Sequence, residues 1–133
     1  MVALEERRAA AEALRRWTNT DSLTGLLNRR GLDDQTSALS ISPVPHRAAI
    51  VIDLDKFKRI NDSYGASVGD ELMKAIVARL RTVLRPQDKL IRTTGTQFTM
   101  LCPEMPDSTA AERLARRVIG AIQTPFQVDQ DLI

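Results

Sequence analysis

At 133 residues, 43% of them hydrophobic and 27% charged, the chain has the composition of one soluble globular domain large enough to bury a core without staples. A formal net charge of +2, with arginines scattered and no block of like charge, excludes an electrostatic nucleic-acid binder. The lone Cys102 excludes an internal disulfide, and no apolar run approaches the roughly 18 residues of a membrane span. The charged, alanine-rich N-terminus lacks the apolar core of a signal peptide, so the expected compartment is the cytoplasm.

From Ala3 to Trp17 strong helix formers dominate, and Leu4, Ala10 or Ala11, Leu14 and Trp17 form a narrow stripe. The stripe predicts a linker helix over residues 1–18. So short and charged a helix is marginal alone; it packs on the domain, pairs with a copy of itself, or continues an upstream helix. Asp21 is an N-cap-type residue, and helical character from Asn28 to Leu39 stops near Pro43 and Pro45. His46, with no second histidine or paired cysteine, reads as a loop residue rather than a zinc ligand.

Ala48 to Leu54 is almost wholly apolar, the pattern of a central strand covered on both faces, and Asp53 and Asp55 place carboxylates at its end, where metals are often held. Val68 to Leu84 carries Val68, Leu72, Ile76, Leu80 and Val83 at helical spacing, with Asp70 and Glu71 expected in the first turn, and Pro86 ends it. Strands Leu90 to Thr93 and Gln97 to Cys102 flank the turn Thr94-Gly95-Thr96, in which Gly95 can take a positive φ and which is expected to sit beside Asp53. Cys102 reads as a small buried side chain. Thr109-Ala110-Ala111-Glu112 predicts a capping box for a helix carrying Leu114, Ala115, Val118, Ile119 and Ile122, which Pro125 stops. Phe126 to Ile133 reads as one strand of a hairpin whose partner lies outside the chain, and Trp17 and Tyr64 read as packing residues. The element order predicts an α+β fold, with helices flanking a mainly antiparallel sheet.

Three motifs in order carry a resemblance: Asp21-Ser22-Leu23-Thr24-Gly25-Leu26-Leu27-Asn28-Arg29-Arg30, then Asp53 to Asp62, then Tyr64-Gly65 with Gly69-Asp70. They resemble the GGDEF domain of diguanylate cyclases, from about Asp21 to the end of the chain. The resemblance implies a nucleotidyl-cyclase core, ferredoxin-like and related in shape to polymerase palms, over residues 19–133, with the family's final strands and helix beyond Ile133. It also implies joining of two GTP molecules into cyclic di-GMP by antiparallel dimers. Carried onto matching positions, Asp53 and the carbonyl of Leu54 would hold Mg²⁺, Lys58 would lie near the triphosphate, and Asn61 and Asp70 would hydrogen-bond the guanine edge. An amide and a carboxylate complement that ring's donors and acceptors.

The chain departs from the family at its naming motif, which reads Thr94-Gly95-Thr96-Gln97-Phe98. Thr96 and Gln97 replace the two acids, and Thr94 puts a β-branched side chain in place of a glycine. Magnesium prefers anionic oxygen in near-octahedral geometry, so Mg²⁺ is expected to be weakly held or absent. Each lost transition-state contact costs roughly 100- to 1000-fold in rate, so useful cyclisation is not expected.

Arg85-Pro86-Gln87-Asp88 has the RxxD spacing at the position of the family's inhibitory product site, and Arg116, with Arg113 and Arg117 nearby, would add a phosphate contact. Arginine and aspartate three apart also commonly form a plain surface ion pair. The leading expectation is a degenerate regulatory domain binding cyclic di-GMP or GTP, beside a phosphodiesterase or sensor domain in a longer parent. The alternatives are an active cyclase relying on Asp53 and Asp55, and a ligand-free scaffold dimerising through residues 1–18.

Overall fold

The computed structural model describes residues 2–39, 47–128 and 131–133; the loop reading of Pro43, Pro45 and His46 lies outside them. Helices α1 (Val2–Asn19) and α2 (Arg29–Leu39) come first, followed by strand β1 (Ala48–Asp53), helices α3 (Phe57–Tyr64) and α4 (Ala66–Val83), and strands β2 (Lys89–Arg92) and β3 (Gln97–Cys102). Helix α5 (Ser108–Gln123) and the short strands β4 (Gln127–Val128) and β5 (Asp131–Leu132) complete the described chain. The fold is the expected α+β arrangement, with every strand pair antiparallel.

Helix α4 supplies the spine of the core. Its apolar face, Leu72, Met73, Ile76, Val77, Leu80 and Val83, is buried together with Phe98, Met100 and Cys102 of β3 and Leu114 and Val118 of α5. Each large side chain so removed from water contributes about 1.5–3 kcal/mol. Arg79, on the same helix, ties down the end of α5. Its guanidinium donates to the carbonyls of Ala121 (3.0 Å), Thr124 and Pro125 (3.0 Å) and stacks over the Phe126 ring, 3.4 Å from the centroid.

Several expectations are corrected. The sheet order is β1-β3-β2, so β3 is the middle strand and β1 a flanking one, with Ala49, Val51 and Asp53 exposed. An apolar run reports low polarity, whereas its place in a sheet depends on which strands pair with it. A short helix, α3, follows β1, and α4 starts at Ala66, so Asp70 and Glu71 fall in its second turn. Helix α5 is capped by Asp107, whose carboxylate accepts from Ala110 N–H at 2.8 Å, rather than by a box at Thr109. Asn28, not Asp21, caps α2, accepting from Gly31 N–H at 3.1 Å. Phe126 to Ile133 closes on itself, β4 pairing with β5, instead of waiting for an outside partner. Trp17 (83% exposed) and Tyr64 (45%) do not pack, and Leu4 and Leu14 on the stripe of α1 are exposed as well.

Candidate functional site

The antiparallel register of β1 on β3 sets Asp53 opposite Gln97, and Leu54 N–H donates to the Thr96 carbonyl at 2.9 Å. The end of β1 and the β2–β3 turn are therefore neighbours, as expected. Lys56, at φ 64°, turns the chain out of β1 into α3. Gly95 does not take a positive φ, and a Cβ placed on it would meet nothing within 4 Å. The turn is shaped instead by its hydrogen bonds. Thr93 N–H donates to the Gln97 carbonyl at 2.9 Å, the Thr93 hydroxyl lies 3.1 Å from Gln97 Oε1, and Arg92 Nη2 donates to the Gly95 carbonyl at 2.8 Å. Phe98, the last motif residue, is fully buried.

Around this turn the donors available to a metal are the exposed Asp53 carboxylate, the Leu54 carbonyl, the Thr96 hydroxyl and the Gln97 amide. Among the described residues no three acids, histidines or cysteines gather into a metal-sized cluster. One carboxylate opposite an amide does not supply the anionic oxygens that a pair of Mg²⁺ ions needs, so these residues do not fit the two-metal arrangement of phosphoryl transfer.

At the α3–α4 corner the situation differs. Phe57 is buried at the start of α3 and Ile60 packs against the core, which fixes the helix and turns Lys58 and Asn61, three residues apart, to a common side. Gly65 ends α3 and begins α4 at φ 92°, ψ 161°, a conformation open only to glycine, and its N–H donates to the Asn61 carbonyl at 2.8 Å. This turn lays the first turn of α4 on Asn61. A Cβ on Gly69 would sit 1.6 Å from Asn61 Oδ1 and 2.8 Å from its Cγ. Asn61 Oδ1 is buried and has no hydrogen-bond partner. Asp70, the next residue, is exposed. The structure thus brings Asn61 against the Gly69–Asp70 step, with exposed Lys58 one helical turn earlier on α3. A cavity of about 520 Å³ between β1, α4 and α5 is lined mainly by apolar side chains, together with Asp53 and Asp55, and includes none of these three polar residues.

The Arg85–Asp88 pair closes on itself. Arg85 donates from Nε (3.0 Å) and Nη2 (2.9 Å) to the Asp88 carboxylate, which also accepts from Arg85 N–H at 2.9 Å. The Asp88 side chain is 0% exposed and that of Arg85 32%. Arg85 Nη2 also reaches the Glu104 carbonyl at 2.6 Å. The hydrogen bonds to Asp88 raise the Arg85 guanidinium further above its ordinary value. Cys102 is buried as expected, and burial, reinforced by the Asp88 carboxylate, pushes its thiol up to about 11. Arg116 stands exposed on α5 and forms no hydrogen bond to the pair among the described residues.

Sequence reasoning missed the role of Arg92. Its Nη1 donates to Asp21 Oδ2 at 3.0 Å, and that carboxylate also accepts from Thr24 N–H (2.9 Å) and the Thr24 hydroxyl (2.7 Å). Arg92 N–H donates to the Leu27 carbonyl as well, so the segment entering the domain is laced to the edge of β2. An arginine inside a short strand is a weak signal for this, because its partner lies 71 residues away.

Comparison with known proteins gives a consistent family. The family model for "Diguanylate cyclase, GGDEF domain" matches residues 18–133. The chain is 33% identical over 126 residues to the cyclic di-GMP phosphodiesterase PdeR of Escherichia coli, covering 94% of this chain and 19% of PdeR. The solved GGDEF domain of TpbB from Pseudomonas aeruginosa superposes with a TM-score of 0.78 at 32% identity, over 86% of this chain and 69% of that one. The coiled coil and GGDEF domain of DgcB from Caulobacter crescentus, solved in complex with c-di-GMP, gives a TM-score of 0.71 at 28% identity, over 85% of this chain and 62% of that one. The chain spans 16–19% of the length of the first curated relatives it matches.

Proposed function

This chain belongs to the GGDEF domain family of cyclic di-GMP signalling, and on that premise we propose that it is a regulatory domain that binds a guanine nucleotide and has lost cyclisation. The observation that carries the binding half is Asn61 Oδ1, a buried acceptor without a partner, against Gly69, the residue before the exposed Asp70. Leaving such a group unmet costs about 1–3 kcal/mol, which a ligand N–H recovers. The guanine edge offers two such donors, N1–H and the 2-amino group, and Lys58 on the same side of α3 suits a phosphate. The loss of chemistry rests on Thr96 and Gln97, which leave Asp53 without anionic partners across the turn. Mg²⁺ then serves at most as a counter-ion of the nucleotide.

A cyclic di-GMP site at Arg85, Asp88 and Arg116 is the second reading, in line with the ligand held by the DgcB structure. The closed geometry weighs against it: Asp88 is fully buried and its oxygens are already taken by Arg85, so the ligand would have to displace an existing pair. Similarity to PdeR supports a longer parent protein with a phosphodiesterase part, and the exposed stripe of α1 supports pairing with a second copy. No helix among the described residues is long and apolar enough to cross a membrane, and we read the domain as cytoplasmic, where GTP is found.

Calorimetric titration with GTP and Mg²⁺, with cyclic di-GMP in parallel, tests the assignment. Binding of GTP that weakens about tenfold or more in Asn61→Ala is expected, the worth of one ordinary hydrogen bond. GTP binding indifferent to Asn61→Ala, or cyclic di-GMP binding alone, would overturn it.

A further inference from the structure

We propose that Asn28 locks α1 to the domain as a rigid lever and that Arg92 carries the lock on to the β2–β3 turn, so that a displacement imposed on α1 reaches Thr94–Gln97 instead of being absorbed at the joint. The inference is independent of the guanine-nucleotide reading. Helix α1 has 18 residues, and residues 3–14 and Trp17 are all exposed. Its direction is therefore set by its last turn and by what holds that turn.

A helix end leaves backbone groups without partners inside the helix, carbonyls at the C-terminus and N–H groups at the N-terminus. Asn28 meets one of each kind on two different helices. Its Nδ2 donates to the Thr18 carbonyl in the last turn of α1 at 2.7 Å, while its Oδ1 accepts from Gly31 N–H in the first turn of α2 at 3.1 Å. Asn28 N–H also donates to the Asn19 carbonyl at 2.8 Å, and Asn19 Nδ2 donates to Asp34 Oδ2 at 2.7 Å, further along α2. Gly31 permits so close an approach. A Cβ there would stand 2.7 Å from the Asn19 carbonyl oxygen and 2.9 Å from Leu27 Cδ2. Two helix ends held by one amide, with a second clamp beside it, move as one body.

From this joint the bonding continues into the sheet. Thr20 bridges Leu27, Leu27 bridges Ile91, and Arg92 N–H donates to the Leu27 carbonyl at 2.8 Å. The Arg92 guanidinium then holds Asp21 Oδ2 through Nη1 at 3.0 Å and the Gly95 carbonyl through Nη2 at 2.8 Å. Guanidinium is planar, with its donors at fixed angles, so it keeps the entry segment and the tip of the turn at a set distance. A lysine in its place brings the charge but a single donor centre, which cannot hold both partners in that geometry.

Pulsed electron-spin measurement of distances tests the lever. Spin labels go on cysteines placed at the exposed positions Glu5 on α1, Glu112 on α5 and Thr94 in the turn, in pairs, with labelled chain diluted in unlabelled chain so that only distances within one molecule are read; the native Cys102 is buried. The native chain should give one narrow distribution for both the α1–α5 and the α1–turn pair. Asn28→Asp keeps an oxygen to cap α2 but replaces the donor to α1 with a negative charge facing that helix's carbonyl end. It should broaden both distributions roughly twofold or more, since a tilt of about 20° at the joint moves position 5, about 21 Å away, through about 7 Å. Arg92→Lys should broaden the α1–turn distribution and leave the α1–α5 distribution narrow. Broad distributions in the native chain, or variants that match it, overturn the proposal; so does an Arg92→Lys that broadens both pairs alike. Helicity by circular dichroism checks the fold. If Asn28→Asp does not fold, Asn19→Ala, which removes the Asp34 clamp and leaves both caps in place, should broaden the α1–α5 distribution, and a width unchanged there overturns the proposal.

Discussion

The α3–α4 corner and the β2–β3 hairpin both carry candidate residues, and they satisfy their polar groups in opposite ways. At the corner the Asn61 amide forms no hydrogen bond among the described residues, and its oxygen is buried. At the hairpin the turn consumes its own polarity: Thr93 with Gln97, Arg92 with Gly95, and Leu54 with Thr96. Arg92 Nε lacks a partner too, yet the same guanidinium is engaged through both its terminal nitrogens, by Asp21 and by Gly95. A polar group left unmet in a folded protein marks where a ligand restores a hydrogen bond, and a closed network marks structure. In this chain the Asn61 corner has the first character and the β2–β3 hairpin the second.

The sharpest way to break that contrast is to look for chemistry. Two lost contacts, each worth roughly 100- to 1000-fold, place cyclisation at least about 10⁴-fold below a competent site. Chromatography of GTP incubated with pure protein and Mg²⁺ or Mn²⁺ should show no cyclic di-GMP above the blank. Product formation would mean that Asp53 and Asp55 suffice, and the hairpin would have to be reread as a working metal clamp.

Stability separates the two regions next. Arg85→Ala strands a fully buried carboxylate and should cost about 3–5 kcal/mol in urea unfolding. Asn61→Ala, which removes an unmet acceptor, should change stability by no more than about 0.5 kcal/mol. Equal costs would dissolve the distinction between a structural pair and a waiting one. The same logic shows why Arg85→Ala is a poor probe of ligand binding: any loss of affinity would be mixed with loss of the fold.

The smallest effect concerns Asp21. Burial pushes its carboxyl up, but hydrogen bonds from Thr24 hydroxyl and N–H, together with Arg92, outweigh it and hold the group below its ordinary value of 3.8. A carboxyl lowered in the folded state stabilises the fold fully above that ordinary value, and the benefit disappears as pH falls through the folded value. Asp21→Asn should therefore cost about 1–2 kcal/mol at neutral pH, with native and variant converging below about pH 3.8. Curves that stay parallel down to pH 2 would show that Arg92 is held by its other contacts alone.

The sequence by itself determined the family, the helix-and-antiparallel-strand alternation and the motif positions, because these are written in short-range signals: apolar periodicity, turn residues and three contiguous motifs. It also exposed the substituted acids at Thr96 and Gln97, since a missing carboxylate is a matter of residue type. What it misplaced were the features that depend on a second segment. Ala48 to Asp53 could not announce that it flanks β3, the short α3 was hidden in a motif read for its carboxylates, and the caps of α2 and α5 moved to Asn28 and Asp107. Only the tertiary structure decided that Asp88 is sealed beneath Arg85, that Arg92 reaches Asp21, and that Gly69 makes room for Asn61. Hydrogen bonding and close approach belong to pairs of atoms, and a linear sequence specifies the atoms without saying which of them will meet.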